Sequence, residues 1–487
     1  MNKPLRRVAV ACLVLFGLLL LQANYVQVYK ASDYRDDPRN SRVLLRTYDR
    51  ERGPIAVGNG KARQALATSK ATTDALKYLR VYAAGPTYAP VTGFYSLVYG
   101  ASGLERSEDR VLSGEDDRLF ARRFSDAITG RTPQGGSIVV TINPKAQQAA
   151  YDALAGKRGA AVAIDPRTGA VLALVSRPSY DPGLLSTHDP AGIRKAYDAL
   201  LADPASPMLD RAINQTYPPG STFKVITAAA ALSSGKYSPG SRIASPTVLA
   251  LPQTTTPLRN FGGESCGDGK TSTLADALRI SCNTAFAKLG LDLGADAVRK
   301  QAEAFGFGQD DLFVPNRIAR SRYPDQLTPP QVAQAAIGQY DVRATPLQMA
   351  MVAAGIANQG RVMTPYLVSE VQAPDLSRLD LAEPRTYRDA VSPQVAQQLT
   401  AMMELVVQGG TGTAAQIPGV RVAGKTGTAE HQAGAAPHAW FIGFAPAQDP
   451  QVAVAVVVED GGSAGSEATG GRVAAPIAKT VIQAVLG

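Results

Sequence analysis

Residues 8–21 read VAVACLVLFGLLLL without a polar position, and the weaker run QANYVQVY follows. Together they approach the roughly 20 residues that span a bilayer. Lys3, Arg6 and Arg7 precede the run, and Tyr25 and Tyr29 fall where interfacial aromatics sit. No A-x-A cleavage site follows Leu21, so the pattern predicts a retained transmembrane anchor over 1–30 rather than a cleaved signal peptide. The basic flank leaves the N-terminus in the cytoplasm and everything after about residue 30 outside.

Beyond the anchor the pattern changes twice. Residues 31–136 mix charge, glycine and tyrosine with short strand-like pieces such as VTGFYSLVY (91–99), which predicts a small separate module. From 137 to 487 the apolar positions organise into longer elements. SIVVTI (137–142), AAVAID (160–165) and AVLALVS (170–176) read as strands, the last two joined by the turn PRTG into a hairpin. Helical spacing dominates 221–233, 273–293, 346–358 and 392–407. Strands return at 421–430, 439–446 and 451–460, and a helix at 473–486 closes the chain. Strands therefore bracket a helical middle. The economical solution is an α/β (α+β) domain: one mainly antiparallel sheet built from both ends, helices on its faces and a helical insert beside it.

Length and composition change this picture little. A chain of 487 residues suits two or three domains, and 45% hydrophobic with 19% charged residues is globular. The net charge is +9, but no Lys/Arg cluster with interleaved aromatics follows the N-terminus, which argues against nucleic acid. Cys12 lies in the span. Cys266 and Cys282, 16 apart, would both be extracytoplasmic, where disulfides persist. Spacing alone leaves their pairing open, since it carries no geometry.

Candidate chemistry begins at YPPGSTFKVITAAAAL (217–232). Ser221 and Lys224 are three apart and share one helix face among apolar neighbours. A lysine desolvated there loses affinity for its proton and can deprotonate the hydroxyl, and the helix N-terminus favours the alkoxide. The second copy of the spacing, SSGK (233–236), sits at a helix end and reads as solvated. ISCNTAF (280–286) sets Ser281 and Asn283 two apart at an interruption between helical patterns. AGKTGTAE (423–430) puts Lys425 in a strand, with Gly427 allowing close backbone approach and Thr426 and Thr428 offering hydroxyls to a carboxylate. The backbone N–H groups of Ser221 and Thr428 could form an oxyanion hole. The near-copy Lys270-Thr271-Ser272 lacks a strand context. GGSAG (461–465) matches G-x-S-x-G, but no histidine follows Ser463. His188, His431 and His438 lack metal-ligand spacing, so neither a metal nor a cofactor is expected.

Ser-x-x-Lys, Ser-x-Asn and Lys-Thr-Gly in this order resemble the signature of penicillin-binding proteins and serine β-lactamases. The resemblance extends to GAVLALVSRPSYDP (169–182), GQYDVRATPLQMAMVAAGIANQG (338–360) and HAWFIGFAP (438–446), and so covers 137–487 as a transpeptidase domain. ERGPIAVGNG (51–60) is similar to the opening motif of class B enzymes, and YAPVTGFYSLVYGASGLE (88–105) resembles the actinobacterial penicillin-binding protein A group.

The resemblance implies a substrate, a peptidoglycan stem peptide ending in D-Ala-D-Ala, and roles. Ser221 would be the nucleophile and Lys224 its base. Ser281 and Lys425 would return a proton to the leaving D-Ala, and Asn283 would orient the substrate amide. Thr426, Gly427 and Thr428 would line the carboxylate site. An acceptor amine would complete the cross-link, and β-lactams would acylate the same serine. Cys282 fills the middle of Ser-x-Asn, where aspartate is also found, and a disulfide to Cys266 would tether the motif and make the site sensitive to reductant. A D,D-carboxypeptidase or β-lactamase is the hydrolytic alternative, though no glutamate base motif stands between Ser281 and Lys425. A non-catalytic sensor or division scaffold is the third. By family analogy the partners are a SEDS-type glycosyltransferase and division or elongation proteins, met through the N-terminal module.

Overall fold

A computed structural model describes every residue except 1–2, 31–47, 59–62, 121–123, 125–127, 131–133 and 432–433. The last two residues of the 51–60 stretch and the start of the expected module therefore lie outside the described residues. Helix Lys3–Asn24 runs on into the turn Tyr25–Tyr29. The most apolar 18-residue window of this 27-residue segment has mean hydropathy 2.1, and none of that window is buried among the described residues. It is long and apolar enough to cross a membrane.

The catalytic-side sheet has five strands in the order Ala423–Ala429, His438–Ala445, Val452–Val458, Gly159–Ile164 and Val171–Arg177. All four neighbouring pairs are antiparallel. Strands from both ends of the domain thus meet in one sheet, as the pattern predicts. The central strand Val452–Val458 is buried on both faces, which explains its continuous apolar run. Side chains alternate across it. Val454, Val456 and Val458 join a cluster with the C-terminal helix Gly470–Leu486 and helix Pro144–Ala153. Ala453, Ala455 and Val457 face the larger core that includes helix Pro346–Ala357. That helix is buried almost all round and is started by Thr345, whose Oγ1 accepts from the Gln348 N–H at 3.1 Å.

Two expectations are corrected. The strand-like run 137–142 does not enter this sheet. Ser137–Val140 instead pairs in parallel with Ile55–Val57 and antiparallel with Val368–Gln372. It lies inside a six-stranded sheet ordered Arg378–Leu381, Val368–Gln372, Ser137–Val140, Ile55–Val57, Gln64–Ala71, Tyr78–Tyr82. The boundary expected at 136/137 therefore runs through a sheet, because a fully buried strand carries no label for its partner. Second, VTGFYSLVY is not a strand. Helix Gly85–Thr92 ends there, Gly93 at φ +68° turns the chain, and only Tyr95–Ser96 pairs, with Gly100–Ala101. The interruption expected within 280–286 is present: 273–293 is two helices, Leu274–Arg279 and Asn283–Leu293, broken where the serine of Ser-x-Asn falls.

Candidate active site

Ser221 sits in the tight turn Gly220–Phe223, which runs directly into helix Lys224–Ser233. Three contacts fix this turn. The Gly220 N–H donates to the Gly338 carbonyl at 2.9 Å. Trp440 Nε1–H donates to the Pro218 carbonyl at 3.1 Å. Tyr217 and Ala344 exchange both backbone hydrogen bonds at 2.9 Å. Gly220 has φ +53°, and a Cβ there would stand 2.7 Å from the Thr428 carbonyl oxygen. Only glycine fits both demands, and the close approach brings Ser221 beside the Lys-Thr-Gly strand.

Lys224 is fully buried. Its Nζ donates to the Ser281 carbonyl and to Asn283 Oδ1, each at 2.7 Å, and to Ser281 Oγ at 3.3 Å. Burial first, then the nearby Lys425 charge, push its pKa well below the ordinary lysine value. Lys425 is also fully buried; its Nζ donates to Ser281 Oγ and to the Thr426 carbonyl, both at 2.9 Å. Burial lowers its pKa to about 7. Ser281 Oγ thus lies between two amines that desolvation has made weak bases. Among the described residues no carboxylate pairs with either lysine, and Ser221 Oγ, partly exposed, makes no hydrogen bond.

The helix break explains how Ser281 reaches this position. Its φ is +64°, and the Cys282 N–H closes back on the Ala277 carbonyl at 2.8 Å. That is a left-handed helix stop of the kind glycine usually makes. A serine there costs about 1 kcal/mol or more in backbone strain. It turns both the carbonyl and the hydroxyl of Ser281 toward Lys224. Asn283 then opens the next helix. Cys266 and Cys282 are joined in a disulfide with Cα atoms 6.1 Å apart, so the middle of Ser-x-Asn is tied to the 258–271 loop.

Thr426 and Gly427 are buried and Thr428 is partly exposed on strand Ala423–Ala429. A Cβ on Gly427 would meet Pro219, Thr222 and Trp440 atoms at 3.0 Å, so the strand abuts the serine turn. Thr426 and Thr411 share a hydrogen bond between their hydroxyls at 2.5 Å. The structure thus gathers Ser221, Lys224, Ser281, Asn283, Lys425 and the Lys-Thr-Gly strand. It leaves the others apart. Ser233 and Lys236 are exposed at a helix end. Lys270 is exposed, although Thr271–Thr273 does form a short strand, contrary to the reading of that stretch. Ser463 lines a separate groove with Lys157 and Arg472 against the C-terminal helix.

Three neighbours of the site have no sequence signal. Asn260 holds the start of the Asn283 helix, and Thr411 holds Thr426. Glu459, buried, accepts from the Tyr217 hydroxyl at 2.7 Å and from Arg211 Nε at 2.9 Å beneath the serine turn. His431 and His438 stack at 3.9 Å with Asp460 beside them. The Asp460 N–H donates to His438 Nδ1 at 3.2 Å, and burial with the His431 charge lowers the His438 pKa to about 4. Candidate ligand atoms of His431, His438 and Asp460 all lie within 4.8 Å of one another, a grouping that the spacing of the histidines does not signal.

A serine turn, two buried lysines of lowered proton affinity sharing a second serine, and an edge strand beside them define a serine acyl-transfer centre of the penicillin-recognising kind. Residues 159–483 match the penicillin binding protein transpeptidase domain, and 52–138 match the penicillin binding protein A dimerisation domain. The chain belongs to the penicillin-binding protein transpeptidase family. It is 51% identical to the peptidoglycan D,D-transpeptidase PbpA of Mycolicibacterium smegmatis, over 100% of this chain and 99% of that one. PbpA of Mycobacterium tuberculosis is 49% identical over the same shares. Penicillin-binding protein A of M. tuberculosis, solved as a ceftriaxone acyl-enzyme complex, superposes with TM-score 0.87 at 47% identity, covering 91% of this chain and 100% of that one.

Proposed function

We propose that this protein is a peptidoglycan D,D-transpeptidase that works through an acyl-enzyme on Ser221. One observation carries the reading: two buried lysines converge on Ser281 Oγ beside the Ser221 turn, with no carboxylate among them. The first lysine, Lys224, is the neutral base that takes the Ser221 hydroxyl proton. The Ser221 oxygen then bonds to the penultimate D-Ala carbonyl, and the N–H groups of Ser221 and Thr428 receive the oxyanion. Collapse breaks the peptide C–N bond, and the proton reaches the leaving D-Ala nitrogen through Ser281, with Lys425 holding that hydroxyl. Asn283 orients the substrate amide, and Thr426 and Thr428 take the terminal carboxylate. The amine of a second stem attacks the ester, giving the cross-link and freeing Ser221. The relatives' acyl-enzyme complexes with β-lactams support the same serine chemistry for those drugs.

The apolar helix is the membrane anchor, with the N-terminus in the cytoplasm and the catalytic domain outside. The N-terminal module, residues 31–136, is the docking piece for a SEDS-type glycosyltransferase and for division or elongation proteins. Hydrolysis is the weaker reading, because no described carboxylate touches Ser221, Lys224, Ser281 or Lys425 to serve as a deacylating base.

The test is labelling of the full-length protein in detergent with a fluorescent penicillin, beside Ser221→Ala and Ser233→Ala. The label should disappear only in Ser221→Ala. Label in all three, or in none, would move the nucleophile elsewhere or return the chain to a binding-only role.

A further inference from the structure

Helix Asn283–Leu293 starts without its own cap: Cys282 precedes it and makes no side-chain capping bond. The first backbone N–H groups of a helix need acceptors. Asn260 supplies one from 23 residues upstream, where its Oδ1 accepts from the Asn283 N–H at 2.8 Å. The same oxygen accepts from the Thr284 N–H at 3.0 Å. Two N–H donors on one atom fix which end of the Asn260 amide is oxygen. Its other end donates to the Glu264 carbonyl at 2.9 Å, so the side chain is held at both ends. Asn260 is 9% exposed, which removes water as a competitor for these bonds.

The residue before it acts on the same target. The Arg259 carbonyl accepts from Asn283 Nδ2 at 3.2 Å. That contact sets which way the Asn283 amide faces, and leaves Oδ1 directed at Lys224 Nζ, 2.7 Å away. Arg259 ends the two-stranded hairpin of Val248–Leu249 and Leu258–Arg259, so its carbonyl is presented from an ordered edge. The Cys266–Cys282 disulfide fastens the far end of the same loop. One loop therefore grips Asn283 by its backbone and by its side chain.

We infer that Asn260 is a positioning residue for acyl transfer: it caps the Ser-x-Asn helix from outside and so sets Asn283 against Lys224 and the substrate amide. This rests on the reading of Ser221 as the acylated nucleophile. Asn260 touches no reacting atom and acts only through Asn283. A displacement of Asn283 by about 1 Å is enough to slow such a step by on the order of 10- to 100-fold.

The test is the second-order rate of acylation by a fluorescent penicillin on the full-length protein in detergent, with Ser221→Ala as the control for the underlying reading. If Ser221→Ala still labels, that reading has failed, whatever Asn260 does. If it does not label, the inference is judged on its own. Asn260→Ala should slow acylation by at least about tenfold. Asn260→Asp, which keeps the acceptor at the helix start, should restore the rate to within about threefold of wild type. The deciding measurement is a double-mutant cycle. In an Asn283→Ala background Asn260→Ala should cause no further loss, because the residue it positions is gone. Equal losses in both backgrounds would overturn the inference and leave Asn260 as a stability residue. So would an Asn260→Ala protein that acylates at the wild-type rate.

Discussion

Lys224 and Lys425 are held in the folded protein as poor proton carriers, and this links activity to stability. An unfolded chain keeps a lysine proton up to the ordinary value, whereas Lys425 releases it near pH 7 because it is buried. Between those values the unfolded state binds more protons, so stability rises with pH from about 7 upward. Lys425→Met removes the buried charge at similar volume. It should raise the melting temperature near pH 7, flatten the rise of melting temperature between pH 7 and 10, and cut penicillin acylation by on the order of 100-fold or more. A lower melting temperature at pH 7 would show that the charge is compensated in the fold. The candidate cluster was legible in the sequence because each of its three motifs is a short local spacing, although the motifs themselves lie 57 and 144 residues apart along the chain. Its supports were not. Asn260, Thr411 and Glu459 reach their partners across 23, 15 and 242 residues, and an asparagine, threonine or glutamate in a loop carries no mark of where its hydrogen bond ends.

Elements do the placing. The serine turn is pressed against the Lys-Thr-Gly strand at Gly220, where both the positive φ and the missing Cβ are used. Gly220→Ala should therefore slow acylation by about tenfold or more and lower stability by about 1–3 kcal/mol, read from labelling rates and urea unfolding. The Cys266–Cys282 bond closes a loop of 16 residues, worth up to about 3 kcal/mol in the chain-entropy model. Reductant should lower the melting temperature and slow labelling together, and neither change would appear in a Cys266→Ser/Cys282→Ser protein. Long periodic segments such as 346–358 and 392–407 were readable as helices to within two residues at each end. The interruption between helical patterns at 280–286 was readable too, though not the residue at which the first helix stops. The break is decided by the backbone closure onto Ala277, which periodicity does not encode.

At the scale of the molecule, the module and the catalytic domain share a sheet. Ser137–Val140 is flanked by Ile55–Val57 on one side and by Val368–Gln372 on the other. A fragment starting at residue 137 would expose that edge and should aggregate, while the full chain stays soluble in detergent, as size-exclusion chromatography would show. Inside the module, buried Glu105 accepts from Arg52 Nε and Arg80 Nε, each at 2.6 Å. Burial alone would raise its carboxyl pKa, but the two guanidiniums outweigh burial and hold it below the usual range. Glu105→Ala strands two buried cations and should cost about 3–5 kcal/mol in chemical denaturation. Because the sheet is shared, the catalytic part should lose stability with it, in a single transition. The sequence by itself determined the long apolar N-terminal helix, the apolar runs that make a five-stranded sheet from both ends of the domain, and the three short motifs, since each depends on neighbours in the chain. Only the tertiary structure decided which sheet takes residues 137–140, how the Ser281 backbone turns its hydroxyl between two lysines, and which loop caps Asn283. Those are choices among distant partners. They are settled by burial and by the need of every buried donor for an acceptor, and neither is written in local spacing.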